Sequence, residues 1–163
     1  MIQEAAQLIA DKAEDPAQLP PILKKNIALQ WDIRDKDKNK DELRSWDFAG
    51  EGWREILTLY VNARTLLLNT PDSDHIQSLL YNLLGIEDIT ESWARRGKNR
   101  EGARNTLDEF MERRHEIAHG ALVESEPVKV DVKRFHEFLS RTVSQTDRRV
   151  GNLLKSILGS EVW

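Results

Sequence analysis

The chain has 163 residues and a mass of 18.8 kDa, with 39% hydrophobic and 32% charged residues, which suits one domain with a core and a heavily ionised surface and excludes two large domains. Its 24 basic and 28 acidic residues leave a net charge of −4, so it is no globally basic nucleic-acid coat, and its zero cysteines exclude disulfides, thiolate catalysis and cysteine-ligated metal sites. The longest apolar runs, such as Leu66 to Leu68 and Ala121 to Val123, are three residues, against about 20 needed to span a bilayer. The opening Met-Ile-Gln-Glu soon reaches Asp11, Lys12 and Glu14, without the basic start and apolar centre of a signal peptide. A cytoplasmic protein with no membrane partner is expected.

In chain order, apolar residues recurring at helical spacing predict helices over 2–14, 20–33, 48–69, 73–84, 87–96, 105–119 and 131–158, hence an all-α bundle of one domain over 1–163. The only period-two stretch is the short Val128-Lys129-Val130-Asp131-Val132. Between the second and third helices, Arg34 to Arg44 holds five basic and four acidic residues and reads as a solvated connection or frayed helix. In the third helix, Arg64 falls within about 20° of Trp53 on the apolar face shared by Ile56, Leu57 and Tyr60, which suggests a buried ion pair or a second anion contact. Thr70-Pro71-Asp72-Ser73 stops that helix and caps the next, Gly85 closes the fourth, and Gly120 stands where a helix end needs a left-handed residue. Pro127 precedes the last helix. Trp31, Trp53 and Trp93 suit core anchors, and His75 and His136 suit the surface or the core edge.

Charge is uneven. From Arg95 to Arg114 seven basic residues face four acidic ones, so this stretch is net +3 within an acidic chain. Arg95, Arg96, Arg100 and Arg104 read either as an exposed connection or as a rim that attracts phosphate.

The informative segment runs from Thr106 to Gly120. On a helical wheel with Leu107 at the origin, Phe110, Met111, Ile117 and Ala118 form an apolar stripe, and Arg114 falls within about 20° of its centre. A guanidinium keeps its proton, so placing it there demands a carboxylate, carbonyls or an anion around it. His115 and His119 fall at about 80° and 120°, one turn apart at the stripe's edge, where imidazoles suited to proton transfer near neutrality could meet the same ligand as the Arg.

Two motifs overlap here. His115-Glu116-Ile117-Ala118-His119 matches HExxH, two zinc ligands and a general base, with about 0.009 matches expected by chance from this composition. The cations Arg113 and Arg114 beside it oppose a zinc ion, and a third ligand would have to come from Glu124, Glu126, His136 or Glu137. A zinc protease is therefore the most distant reading, and no metal or cofactor is expected. The other motif is Arg-x4-His, from Arg114 to His119.

Arg113-Arg114-His115-Glu116-Ile117-Ala118-His119-Gly120 closely resembles the signature of the HEPN superfamily, an Arg and a polar residue leading to an Ala-His-Gly helix end. The resemblance implies an all-α HEPN-like helical bundle that dimerises so that two motifs face one cleft. It implies a metal-independent endoribonuclease, some members being toxins or defence effectors restrained by an antitoxin or companion protein. Its alternative is a noncatalytic module that binds nucleotide, RNA or a protein. By match of position Arg114 and His119 take the catalytic roles and His115 the polar slot after the Arg. Arg113, with Arg64, Arg95, Arg96, Arg100 and Arg104, is expected to bind the RNA.

Overall fold

The computed structural model describes residues 2–35, 50–66, 71–94, 99–120 and 129–159. Among these are seven α-helices, a single 3-10 turn and no strand. No helix among them is long and apolar enough to cross a membrane.

Helix α1 (Ile2–Lys12) buries Ala5, Ala6, Ile9 and Ala10, an i, i+1, i+4, i+5 stripe whose small side chains let α3 pack closely against it. A capping box follows: Asp15 accepts from the Ala17 amide at 2.7 Å while Gln18 reaches back to the Glu14 and Asp15 amides, closing the turn Pro16–Gln18. Helix α2 (Pro21–Asp35) starts on Pro21, whose missing N–H loses no helical bond at that position, and buries Leu23 and Ile27. Helix α3 (Gly52–Leu66) buries Trp53, Ile56, Leu57, Tyr60 and Val61.

Helix α4 (Ser73–Leu84) is punctuated as its flanks predict. Asp72 caps it by accepting from the His75 amide at 2.8 Å, and Gly85 ends it in the left-handed region at φ 72°. A Cβ on Gly85 would also stand 3.0 Å from Pro20 Cβ, so this turn needs glycine both for its backbone and for the approach of the chain before α2. Asn26 of α2 donates to the Asn82 carbonyl at 3.2 Å, tying the two helices.

Helix α5 is a single turn (Thr90–Trp93), much shorter than the 87–96 expected. The Asp88 carboxylate takes the Thr90 hydroxyl and amide and so starts the turn late. Helix α6 (Arg100–Ala118) starts five residues before the expected 105, because Asn99 caps it by accepting from the Gly102 amide at 2.8 Å. Helix α7 (Lys129–Leu158) takes in Lys129 to Val132 of the segment whose valines alternate, so Val130 and Val132 are helical, and Val128 lies outside the described residues. Positions 36–44 of the mixed-charge connection lie outside the described residues, as do Thr70, Arg95, Arg96 and Pro127, and the side chain of Trp31.

The body is one hydrophobic core in which Ile9, Leu23, Leu57, Leu80, Leu83, Leu84, Ile89 and Leu154 are fully enclosed, each contributing about 1.5–3 kcal/mol by leaving water. Trp53 and Trp93 are core anchors, as expected. Trp93 also donates its indole N–H to Thr146 Oγ1 at 2.9 Å, fixing α5 against α7. One further clamp positions α6. Asp108 accepts from the Ser73 amide at 2.8 Å and from its hydroxyl at 2.7 Å, and Ser73 is wholly buried.

Candidate functional site

Helix α6 has 19 residues, which makes it about 28 Å long at 1.5 Å per residue. Only its first half meets the core. Ala103 and Leu107 are buried and Met111 packs partly against the core, whereas Arg114 to Gly120 are all exposed. The start of α7 overruns the body likewise, with its first buried residue at Phe138. The two overrunning ends lie side by side and antiparallel: Phe110 stacks on Phe135 with ring planes 5° apart, and Arg114, Ile117 and Ala118 share a hollow of about 340 Å³ with Asp131 and Val132. They form an arm that projects from the bundle.

This geometry corrects the wheel. Arg114 does lie on the side that Leu107 turns to the core, but the core has ended before it is reached, so the guanidinium is exposed and no buried ion pair is required. The apolar stripe runs on past the core without a covering element among the described residues. Ile117 remains 47% exposed, Val132 58% and Val143 54%. On α7, Val132 lines the same hollow as Ile117 and Ala118 and extends their strip; Leu139 and Val143 fall within about 40° of its angle further along, Leu139 packed against the core and Val143 exposed.

His115 and His119 stand on the flank of α6, their ring centroids 4.2 Å apart and the rings tilted by 53°. His119 is the C-cap, its amide donating to the His115 carbonyl, and Gly120 turns the chain out at φ 67°. The left-handed residue anticipated there is present. Arg114 and His119 diverge by about 140° around one helix and stand about 7.5 Å apart along its axis. Within a single chain the cation and that imidazole therefore face different directions.

The other arginines distribute differently from the expected rim. Arg100 pairs with Asp88 at 2.8 Å and Arg104 pairs with Asp74. Arg100 is fourteen residues before Arg114, about 21 Å along the helix. These two fasten the start of α6 to its neighbours, and the structure does not bring them to the motif. Arg64 is exposed in the last turn of α3, its guanidinium 5.4 Å from the Tyr60 ring centre, which corrects the expectation of a buried ion pair. His75 and His136 are exposed, as expected, and His75 Nδ1 lies 2.6 Å from Asp72.

Arg113 lines a cleft of about 400 Å³ between α6 and α7, with Arg134 and Arg141 opposed by Glu109, Asp131 and Glu137. Balanced charge makes that cleft a poor phosphate trap. Glu137 stands there among arginines. Among the described residues no three potential ligands gather around an ion, so the zinc-protease reading finds no third ligand there; Glu124 and Glu126 lie outside them.

Sequence reasoning placed the motif but missed the projecting arm and the Asp108 clamp. The alternating valines were the available sign of apolar surface on α7. A family model described as RiboL-PSP-HEPN matches residues 1–152. No curated protein and no solved structure matches the chain.

Proposed function

This chain belongs to the RiboL-PSP-HEPN family, and from that premise we propose that it is a metal-independent endoribonuclease. It acts as a two-fold dimer in which the apolar strips of two arms meet and set two copies of Arg114, His115 and His119 around one cleft. The observation that carries this reading is the placement of all three side chains in solvent at the end of α6, beside apolar surface with no cover among the described residues. A core histidine or structural arginine would be enclosed instead.

The chemistry is an internal transesterification. One imidazole takes the proton from a ribose 2′-OH, the resulting oxyanion bonds to the adjacent phosphorus, and the bond from phosphorus to the 5′-oxygen breaks as a second imidazole protonates it. His119 of each chain supplies these two roles across the dimer. Arg114 holds the non-bridging oxygens, whose negative charge grows in the transition state, and its planar fork matches them better than a point charge. His115, 4.2 Å from His119 between ring centres, orients that imidazole.

The test is cleavage of a single-stranded or loop RNA in excess EDTA. The expected products end in a 2′,3′-cyclic phosphate and a 5′-OH, and a 2′-deoxy substitution at the cut nucleotide blocks the reaction. The divergence of Arg114 and His119 within one chain favours a second reading if the chain remains monomeric, a noncatalytic module binding nucleotide, RNA or a protein. Intact RNA from a folded dimer across varied substrates would likewise overturn the ribonuclease reading and leave the noncatalytic one.

A further inference from the structure

The His115–His119 pair has a property that proton transfer does not use. Two imidazoles at i and i+4 on a helix project from one side and can close on one ion, as in the HExxH geometry. Metal–nitrogen bonds of about 2.0–2.1 Å in tetrahedral arrangement set the two ligating nitrogens roughly 3.3 Å apart. The exposed rings, 4.2 Å apart between centres, reach that through rotation about χ1 and χ2, which spreads the centres by about 1 Å as the nitrogen lone pairs turn to a common point. Among the described residues no hydrogen bond holds either ring, and both are exposed, so an ion can enter without displacing a partner.

The surroundings favour a weak, open site. The pair lies in the last turn of α6, where carbonyls at the helix end carry partial negative charge that attracts cations. Arg113 and Arg114 both line the hollow beside α7, and Arg113 also lines the larger cleft, whereas neither histidine lines either one; Glu112 and Glu116 stand on the same stretch of helix with opposite charge.

We infer that His115 and His119 form a bidentate site for a borderline transition-metal dication such as Zn²⁺, Ni²⁺ or Cu²⁺, and that occupancy shuts the ribonuclease off by taking the nitrogen lone pairs needed for proton transfer. The ion is a reversible inhibitor and no cofactor. With only two protein ligands the remaining coordination positions go to water, and the site discriminates by ligand chemistry. Imidazole suits zinc, nickel and copper, and a pair of imidazoles offers nothing to Mg²⁺, which seeks oxygen. The inhibition rests on the ribonuclease reading; the binding does not.

The experiment is calorimetric titration of the untagged full chain with ZnCl₂ alone, then NiCl₂ and MgCl₂. Saturable Zn²⁺ and Ni²⁺ binding is expected, at one ion per chain, or one per two chains if both motifs share it, with none for Mg²⁺. His115→Ala and His119→Ala should each weaken it by at least the 10- to 100-fold that losing even an outer partner of a metal ligand costs. His75→Ala and His136→Ala should leave it unchanged, and circular dichroism should show every variant folded. Absence of saturable binding, binding retained by the His115→Ala/His119→Ala double variant, or binding lost in either control would overturn the inference. In the RNA arm, added Zn²⁺ should stop cleavage and EDTA restore it. Zn²⁺ that binds through the pair without slowing an active enzyme would overturn the inhibitory role, whereas binding without cleavage under any condition would refute only the ribonuclease reading.

Discussion

Ile117→Asp is the sharpest probe of the proposed dimer. Ile117 is 47% exposed in the single chain, and Val132 and Val143 are 58% and 54% exposed. Full burial of such a side chain is worth about 1.5–3 kcal/mol. Covering the remaining exposed fractions of these three residues in both protomers therefore contributes roughly 5–10 kcal/mol, comparable with the roughly 4–15 kcal/mol that association itself costs. The proposed dimer is thus balanced closely enough for one residue to decide it. Ile117→Asp removes about 1.5–3 kcal/mol per dimer, a factor of roughly 10 to 150 in affinity, and places a carboxylate where water is to be excluded. Light scattering should give about 38 kDa for the wild type, twice 18.8 kDa, and half that for the variant at tens of micromolar. RNA cleavage should fall with the dimer. The variant's helicity and urea midpoint should hold, because Ile117 lies beyond the core. A wild type that is monomeric at these concentrations, or a variant that stays dimeric and active, would refute the reasoning.

Other expectations concern the motif and the body. His119→Ala should lower cleavage by about 10²–10⁴, the usual worth of general acid–base help; Arg114→Lys should rescue Arg114→Ala poorly, and full activity in any of these would remove the motif from the chemistry. Asp108→Ala leaves the buried Ser73 amide and hydroxyl without their acceptor, so urea unfolding should report a loss of about 1–3 kcal/mol, and a change below about 0.5 kcal/mol would show that the clamp is dispensable. Burial alone would raise the Asp88 carboxyl, but the Thr90 hydroxyl and amide and the Arg100 guanidinium outweigh it and hold it below the ordinary aspartate range. Its contribution is therefore present above the unfolded-state pKa and lost as pH falls through the lower folded-state value. The stability gap between wild type and Asp88→Asn should narrow in acid; a gap that widens would reverse the assignment.

Much of the fold is legible locally because its signals act over a few residues. Asp72, Gly85 and Gly120 mark helix ends through one side-chain bond or one positive φ, and each does so in the structure. Boundaries slipped where a short polar residue made a bond that composition does not announce, as at Asn99 before α6 and Asp88 before α5. The candidate site was legible in identity and angle and misjudged in environment. A helical wheel gives the direction of Arg114 but says nothing of where along the axis the core stops, which depends on how far α4 and α5 reach beside α6. The same gap explains Arg64, which shares the angle of Trp53 yet lies three turns further on, past the packed part of α3. Asp108 and Ser73 are 35 residues apart, so no local pattern joins them.

Because α6 leaves the core near Met111, foldedness and chemistry are answerable to different residues. Stability rests on Ala103, Leu107 and the clamp at Asp108, whereas the proposed chemistry rests on Arg114, His115 and His119. If the proposed ribonuclease reading holds, loss of His119 alone ends cleavage while the bundle and its apolar strip stay intact, because the residue is exposed beyond the core. On the proposed reading, the step from enzyme to binding scaffold passes through no unfolded intermediate, and it is reversible for as long as the arm survives.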